Sequence, residues 1–312
     1  MSDQPLFVLL GPTASGKTRL AVRLADALGG EIISADSRQV FKGMDIGTGK
    51  DLQEYTFGGL QVPHHLIDIR EAGTLYNVHE FKEDFYEVFL EVLERGALPI
   101  LCGGTGMYVH SILQNHAYTA IPVDATFRAK LLPLQVEELR AKLAEYPAEF
   151  VQHADQSSHK RMIRALEIAA YLSTHEFVAP DRPVVKAFVA GLRSEIPLRR
   201  DKVIERLERR FEEGMIGEVQ ALLSVGIDPK ILEFYGLEYK LITSHLSGAL
   251  SFSELKEKLA IAICQFAKRQ MTFFRKMEKD GVQIHWFDAG LTVEEQLGQV
   301  IDSYSSYLHT QS

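Results

Sequence analysis

Residues 11–18 read GPTASGKT, and the fold turns on how that stretch is framed. Ahead of it, residues 6–10 (LFVLL) are a short apolar strand candidate. Behind it, Leu20, Ala21, Leu24, Ala25 and Leu28 recur at helical spacing until Gly29 and Gly30 close the run. Strand, glycine-rich turn and helix follow in the order a phosphate-binding P-loop requires. Small residues let backbone N–H groups converge on phosphate oxygens, and the helix that follows presents its positive end. Lys17 adds a mobile positive charge, and the Thr18 hydroxyl is suited to helping hold Mg2+. Gly11, Pro12, Thr13, Ala14, Ser15, Gly16, Lys17 and Thr18 are therefore the candidate cradle for a di- or triphosphate. Hydrolysis of ATP does not follow from them.

Outward from this loop, residues 31–36 (EIISAD) predict a second strand and residues 76–95 a helix. Residues 97–104 (ALPILCGG) predict a third strand running into a second glycine loop. The alternation predicts an α/β, P-loop NTPase-like three-layer core with a mainly parallel sheet, and places ligand chemistry at the C-terminal ends of the strands. The texture changes after about residue 115: residues 124–174 read as helical without strong strands, and strand character returns at 184–192 (VVKAFVAGL). The expected organisation is a first core part over 1–118, a helical insertion over 119–183, and a second core part with C-terminal helices over 184–312. Within the latter, helices are expected over 199–223 and 252–279, and a last strand over 282–287. The 252–279 helix is expected to bury a face made of Leu255, Leu259, Ile263, Phe266, Gln270, Phe273 and Met277.

Of the 312 residues, 46% are hydrophobic and 24% charged, with a net charge of -8. This is a globular composition that argues against a general nucleic-acid coat while leaving room for a local basic groove. No apolar run is long enough to span a membrane, and the N-terminal one ends in the P-loop, so it reads as a strand and not as a signal peptide. Two cysteines, Cys102 and Cys264, are too few for a disulfide scaffold, and a cytoplasmic location is expected. His64 and His65 lack the companions of a zinc site.

A P-loop enzyme that cleaves a nucleoside triphosphate usually offers an acid at the end of a hydrophobic strand. The third strand here ends in Gly103 and Gly104, and the carboxylate stands instead at Asp36, after the second strand. Asp36 is suited to orient Mg2+ through water, to accept a proton from a nucleophile, or simply to cap a turn. Residues 103–108 (GGTGMY) form a second glycine loop facing the same crevice, where Thr105 can donate to a phosphate or a leaving oxygen, or where a tight turn needs only glycine. Met107 and Tyr108 fit packing positions.

In order along the chain stand GPTASGKT, ISADSRQVFKGMDIGTGK, PHHLID, GGTGMY, RMIRALEI (161–168) and AKRQMTFFRK (267–276). Together they resemble the tRNA dimethylallyltransferases, also called tRNA isopentenyltransferases, over about residues 6–287. The resemblance implies transfer of a dimethylallyl group from dimethylallyl diphosphate to N6 of the adenosine beside the anticodon, with Mg2+ assisting and diphosphate leaving. It implies catalytic roles for Asp36 as general base, Thr105 near the bridging oxygen, and Lys17 on the diphosphate, with Thr18 on the Mg2+ side and Arg210 as a further diphosphate ligand. It implies tRNA contacts from Thr13, Asp36, Ser37, Arg38, Gln39, Arg161, Arg164, Gln265 and Arg269, the insertion being similar to an anticodon-stem-binding domain. The partners implied are a tRNA with adenine 3′ of the anticodon and dimethylallyl diphosphate, with neither membrane nor obligate protein partner. Phe41, Phe274, Cys264 and the FYGLEY stretch at 234–239 depart from the family pattern, mostly on the tRNA-facing side. An adenylate isopentenyltransferase, a small-molecule kinase and a non-catalytic RNA-binding relative are the rival readings.

Overall fold

Alternate side chains of the first strand point into two different cores, and this sets the layers. The computed structural model describes residues 4–152 and 154–311. Its strands are β1 (Gln4–Leu10), β2 (Gly30–Ser34), β3 (Thr56–Phe57), β4 (Leu60–Gln61), β5 (His64–His65), β6 (Leu98–Gly103), β7 (Val185–Arg193) and β8 (His285–Asp288). Among the described residues, β3 and β4 make a small antiparallel ribbon, and the others form one six-stranded sheet in the order β5-β2-β6-β1-β7-β8. Every pairing in that sheet is parallel, with Phe7 opposite Ile100 on one side and Phe188 on the other. Strands buried on both faces read as continuous apolar runs, which is why LFVLL shows no alternation of polarity.

Leu6, Val8 and Leu10 face one core with Ile33, Leu101 and Val189, while Phe7 and Leu9 face the other with Ile32, Ile100 and Phe188. Helices α1 (Lys17–Leu28) and α13 (Val293–Gln311) cover the second core through Leu20, Leu24, Val300 and Tyr304. The first is covered by α2 (Val78–Glu94), α3 (Gly106–Leu113) and the long α12 (Phe252–Lys279). Both α2 and α12 start at capping boxes, Asn77 with Glu80 and Ser251 with Glu254, which satisfy their first amides.

The expected helix at 199–223 is two helices, α8 (Ile196–Glu212) and α9 (Met215–Ser224). Gly214, at φ 99°, turns the chain between them. The expected strand at 282–287 is the shorter β8, and β5 was not foreseen, since two residues leave no periodicity to read. On α12 the buried face is Leu255, Leu259, Ile263, Ala267, Gln270, Phe274 and Met277. Phe266 and Phe273 lie one position off that stripe and are half-buried; both sets contain the same numbers of three- and four-residue steps, so periodicity alone does not fix which of them faces the core. Among the described residues no helix is long and apolar enough to cross a membrane.

The chain divides into Met1–Asn115 with Pro183–Ser312, and a second unit, His116–Arg182. The second unit holds α4 (Ala125–Leu131), α5 (Val136–Ala144), α6 (Ala148–Val151) and α7 (His159–Leu172) around Leu131, Leu139, Leu143, Met162, Ile163 and Leu166. Its boundaries start three residues before the expected 119, where α3 has ended.

At the sheet's outer edge, Glu31 of β2 accepts from Arg95 Nε at 2.9 Å and Nη2 at 2.8 Å, and lies 2.6 Å from His65 Nε2 of β5. Arg95 holds the Glu31 carboxyl below its ordinary value, against burial and with help from His65. Its folded value is depressed, so its stabilisation is present above the unfolded value, about pH 4.3, and is lost as pH falls through the folded one. Glu31→Gln is expected to flatten the acid limb of the stability curve, read as urea midpoints between about pH 5 and 3. Equal slopes in both proteins would contradict this.

Candidate active site

The P-loop leaves β1 and turns through two left-handed residues, Ala14 at φ 60° and Gly16 at φ 79°, before α1 begins. Consecutive turns of this kind aim successive amides into one concavity, and the α1 N-terminus has neither a side-chain cap nor an acid in its first turn. Ser15 is 2% exposed and its hydroxyl has no hydrogen-bond partner. Lys17 Nζ lies 3.5 Å from the Pro12 carbonyl, and burial pulls its amine below the usual value, against Cys102 and Asp36. This is a cradle for an anion.

A cavity of about 310 Å3 opens over it, lined by Thr13, Ala14, Ser15, Gly16, Lys17, Thr18, Asp36, Ser37, Arg38, Gln39, Thr105 and Arg210. They come from the two glycine loops and residues 36–39, with Arg210 from α8. Gly11 and Pro12 are buried beneath it. Asp36 Oδ1 accepts from the Arg38 amide at 2.9 Å, so the carboxylate also closes its own turn and keeps a second oxygen for other work. The Ser37 amide donates to Thr105 Oγ1 at 3.2 Å, which ties the ADSRQ loop to GGTG and leaves the Thr105 hydroxyl proton to point elsewhere.

Among the described residues, five side chains of α8 reach the same cavity: Lys202, Glu205, Arg206, Arg209 and Arg210. Arg206 pairs with Asp51, and Arg209 with Glu213 at 3.4 Å. Arg210 is 6% exposed and its Nε has no hydrogen-bond partner. Burial, then Arg206, push its guanidinium down to about 10, so it remains a cation at neutral pH. A buried cation with an unused donor facing an anion cradle is a strong recognition element for phosphate. Asp51 stays a carboxylate: burial opposes it, but Arg206 and Arg210 outweigh burial and hold its value low.

Several functional positions escaped the sequence reading. Gln270 is the chief one, since its Oε1 accepts from the Thr13 amide at 2.8 Å and its Nε2 donates to the Gly104 carbonyl at 2.9 Å. An amide inside an otherwise apolar stripe of α12 was the available signal, because a buried amide needs partners. The Thr13 amide, expected to face a phosphate, is engaged by Gln270 instead. Arg206 sits one helical turn before Arg210 on the same face, a spacing that was legible but unused.

Other expected residues lie elsewhere. Gln265 and Arg269 are exposed on α12, and the Arg269 guanidinium stands 5.8 Å from the Phe266 ring centre. Arg38 covers the same ring at 5.0 Å and donates to Glu238 at 3.4 Å. In the second unit, Arg161 is exposed and pairs with Asp155 at 3.1 Å. Arg164, expected with it as a tRNA contact, turns inward: it donates to the carbonyls of Ile121 at 2.6 Å and Tyr118 at 3.1 Å, and pairs with Glu167 at 3.4 Å. Its guanidinium is occupied in holding that unit together. Tyr108 stacks on Phe81 in the core, whereas Met107 is 39% exposed. The His64 ring lies tilted against Tyr55 with centroids 4.3 Å apart, and among the described residues no cluster of metal-ligating side chains occurs.

Fold and cavity together define an enzyme core of P-loop-like α/β type in which a glycine loop and arginines of one helix line the same crevice. A family model described as IPP transferase matches residues 39–277, and one described as isopentenyl transferase matches residues 4–61. The chain belongs to the tRNA dimethylallyltransferase family. It is 46% identical to tRNA dimethylallyltransferase 1 of Parabacteroides distasonis over 297 residues, 95% of this chain and 96% of that protein. It is 48% identical to tRNA dimethylallyltransferase 2 of Syntrophotalea carbinolica over 283 residues, 91% and 94% of the two chains. The crystal structure of a tRNA isopentenylpyrophosphate transferase from Bacillus halodurans superimposes with a TM-score of 0.72 at 31% identity, covering 99% of this chain and 98% of that one.

Gln270→Leu keeps the volume and strands the Thr13 amide and the Gly104 carbonyl. It is expected to lower unfolding stability by about 2–5 kcal/mol in urea titrations, the cost of two unpaired buried groups. A loss below about 1 kcal/mol would mean that solvent replaces both bonds.

Proposed function

We propose that the enzyme transfers a dimethylallyl group from dimethylallyl diphosphate to N6 of adenosine 37, the nucleotide adjacent to the anticodon in tRNA, and releases diphosphate. The observation that carries this reading is the buried, unsaturated Arg210 facing the P-loop cradle in a cavity whose wall also holds Asp36 and Thr105. In the transferred step the allylic C–O bond breaks, a C–N bond forms, and the N6 proton leaves to a base. Negative charge grows on the departing diphosphate, where Lys17, the loop amides of residues 14–18 and Arg210 stabilise it. The exocyclic amine is a weak nucleophile because its lone pair is delocalised into the purine, so its placement matters more than its basicity. Asp36 aligns the N–H through its free oxygen and accepts the proton. Thr105, anchored by the Ser37 amide, directs its hydroxyl at the bridging oxygen. The recessed cavity keeps water from the developing allylic cation and takes an adenine turned out of its stack.

The site's donors suit Mg2+. The Thr18 hydroxyl lines the cavity beside the cradle, and a cation that keeps several waters and takes phosphate oxygens needs only one or two protein ligands. Mg2+ when bound would add charge neutralisation on the leaving diphosphate. For the tRNA, Thr13, Ser37, Arg38 and Gln39 are proposed beside the adenosine, with Gln265, Arg269 and Arg161 as exposed backbone contacts. Arg164 drops from that set because its donors are already used within its own unit.

The test is transfer of label from dimethylallyl diphosphate with Mg2+, offered unmodified tRNA with adenine after the anticodon, or AMP. Label in the tRNA is expected, and label in AMP alone would overturn the reading. Asp36→Asn is expected to slow transfer by about 10²–10⁴ with tRNA affinity kept within about threefold, the range a general base supplies. Equal losses in rate and binding would make Asp36 a structural residue.

A further inference from the structure

The arginines of α8 lean on a glycine-rich loop, residues 43–51, that has few side chains of its own to hold it. A residue outside the cavity does so. Glu218, on α9, accepts three successive backbone N–H groups, from Asp45 at 2.7 Å, Ile46 at 2.7 Å and Gly47 at 3.0 Å. The Tyr239 hydroxyl donates to the same carboxylate at 2.7 Å. Tyr239 is fully buried, in α11 (Leu237–Leu246), and its ring lies so close to Gly47 that a Cβ there would come within 2.8 Å of it. At the far end of the loop, Lys50 is fully buried and donates to the Phe41 carbonyl at 2.7 Å, to Asp45 at 2.6 Å and to Asp68.

Between these anchors stands Gly49, at φ 65°. A Cβ on it would lie 1.5 Å from Arg210 Nη2 and 2.6 Å from Arg206 Nη2, so both guanidiniums pack on its bare backbone. Its carbonyl accepts from Gln39 Nε2 at 3.0 Å and from Arg206 at 3.4 Å, and the next residues lead to Asp51, which pairs with Arg206.

We infer that Glu218 is a positioning residue for the diphosphate site, acting through the 45–51 loop on Arg206 and Arg210. This rests on the reading of the cavity as a diphosphate clamp. An arginine has many rotamers to lose, and a loop with glycines at 43, 47 and 49 has many backbone states, so neither is preorganised alone. A carboxylate shared by three adjacent amides removes most of that freedom through charge-assisted bonds. Glu218 follows α8 by one short turn, so the arginines and the brace for their wall are built from one helix pair. Remote from the ligand, these groups set where the ligand's contacts stand. A general stabilising role would instead weaken all of the protein's properties together.

Glu218→Gln keeps the shape but turns an NH2 group toward amides that need an acceptor. Three quantities are measured on the full chain: the Kd of inorganic diphosphate by calorimetry, the Kd of unmodified tRNA, and the thermal midpoint. Diphosphate affinity is expected to fall about tenfold, a loss typical of mispositioned binding groups, with tRNA affinity within about twofold. Tyr239→Phe, which removes one of the four bonds, is expected to weaken diphosphate by about threefold. Unchanged diphosphate affinity in Glu218→Gln overturns the inference, and so does a parallel loss of diphosphate and tRNA affinity. Should Glu218→Gln fail to fold, Tyr239→Phe decides, and wild-type diphosphate affinity in it overturns the inference. Because diphosphate binding is read without transfer, a wild type that binds it but transfers nothing defeats only the proposed reaction. A wild type that does not bind it defeats both.

Discussion

Two glycine loops leave the ends of the paired strands β1 and β6, and one buried amide from α12 bonds to both. Gln270 makes one hydrogen bond to the Thr13 amide and one to the Gly104 carbonyl. The bonds are cheap to make inside a protein and costly to lose there, since the groups left behind have no water to turn to. Everything else in the site is placed relative to that join. The P-loop amides, Lys17 and Thr18 lie on one side of it, Thr105 on the other, and the Ser37 amide ties the ADSRQ loop to the second side.

The electrostatics follow the same division of labour. Arg206 is neutralised by Asp51 and Arg209 by Glu213, so their charges are largely committed before any ligand arrives. Arg210 is the exception, buried and with an unused donor. Burial of such a group is unfavourable unless something anionic completes it. On the proposed reading, a highly charged ligand completes it. The chain's overall acidity does not oppose this, because the cations that matter sit on one helix and one loop.

Much of this was legible before any coordinates. GPTASGKT between an apolar strand and a helical pattern named the loop, and the missing acid after PILC weakened a nucleotide-hydrolysing reading. The helical stretch after residue 115 separated itself by lacking strands. What escaped were contacts between segments far apart in sequence. Gln270 stood in the expected buried stripe with no role assigned to it, and neither Glu218 nor Lys50 stood out in the sequence. Periodicity reports which face is buried and says nothing of what a buried polar group meets. Arg164 shows the same limit from the other side: a tRNA contact was implied for it, while its donors meet carbonyls of the segment before α4. Phase errors on α12 have the same root: Phe266 is as apolar as its neighbours, and only the packing shows that it lines the cavity under Arg38 and Arg269.

In the proposed reaction this P-loop clamps a leaving diphosphate and does not turn over ATP. The most direct measurement is the stoichiometry of a reaction run without ATP, counting diphosphate released against dimethylallyl groups in the tRNA. One diphosphate per group, with no gain from added ATP and no ATP consumed, is the expected result. A requirement for ATP, or its hydrolysis in step with transfer, would contradict it.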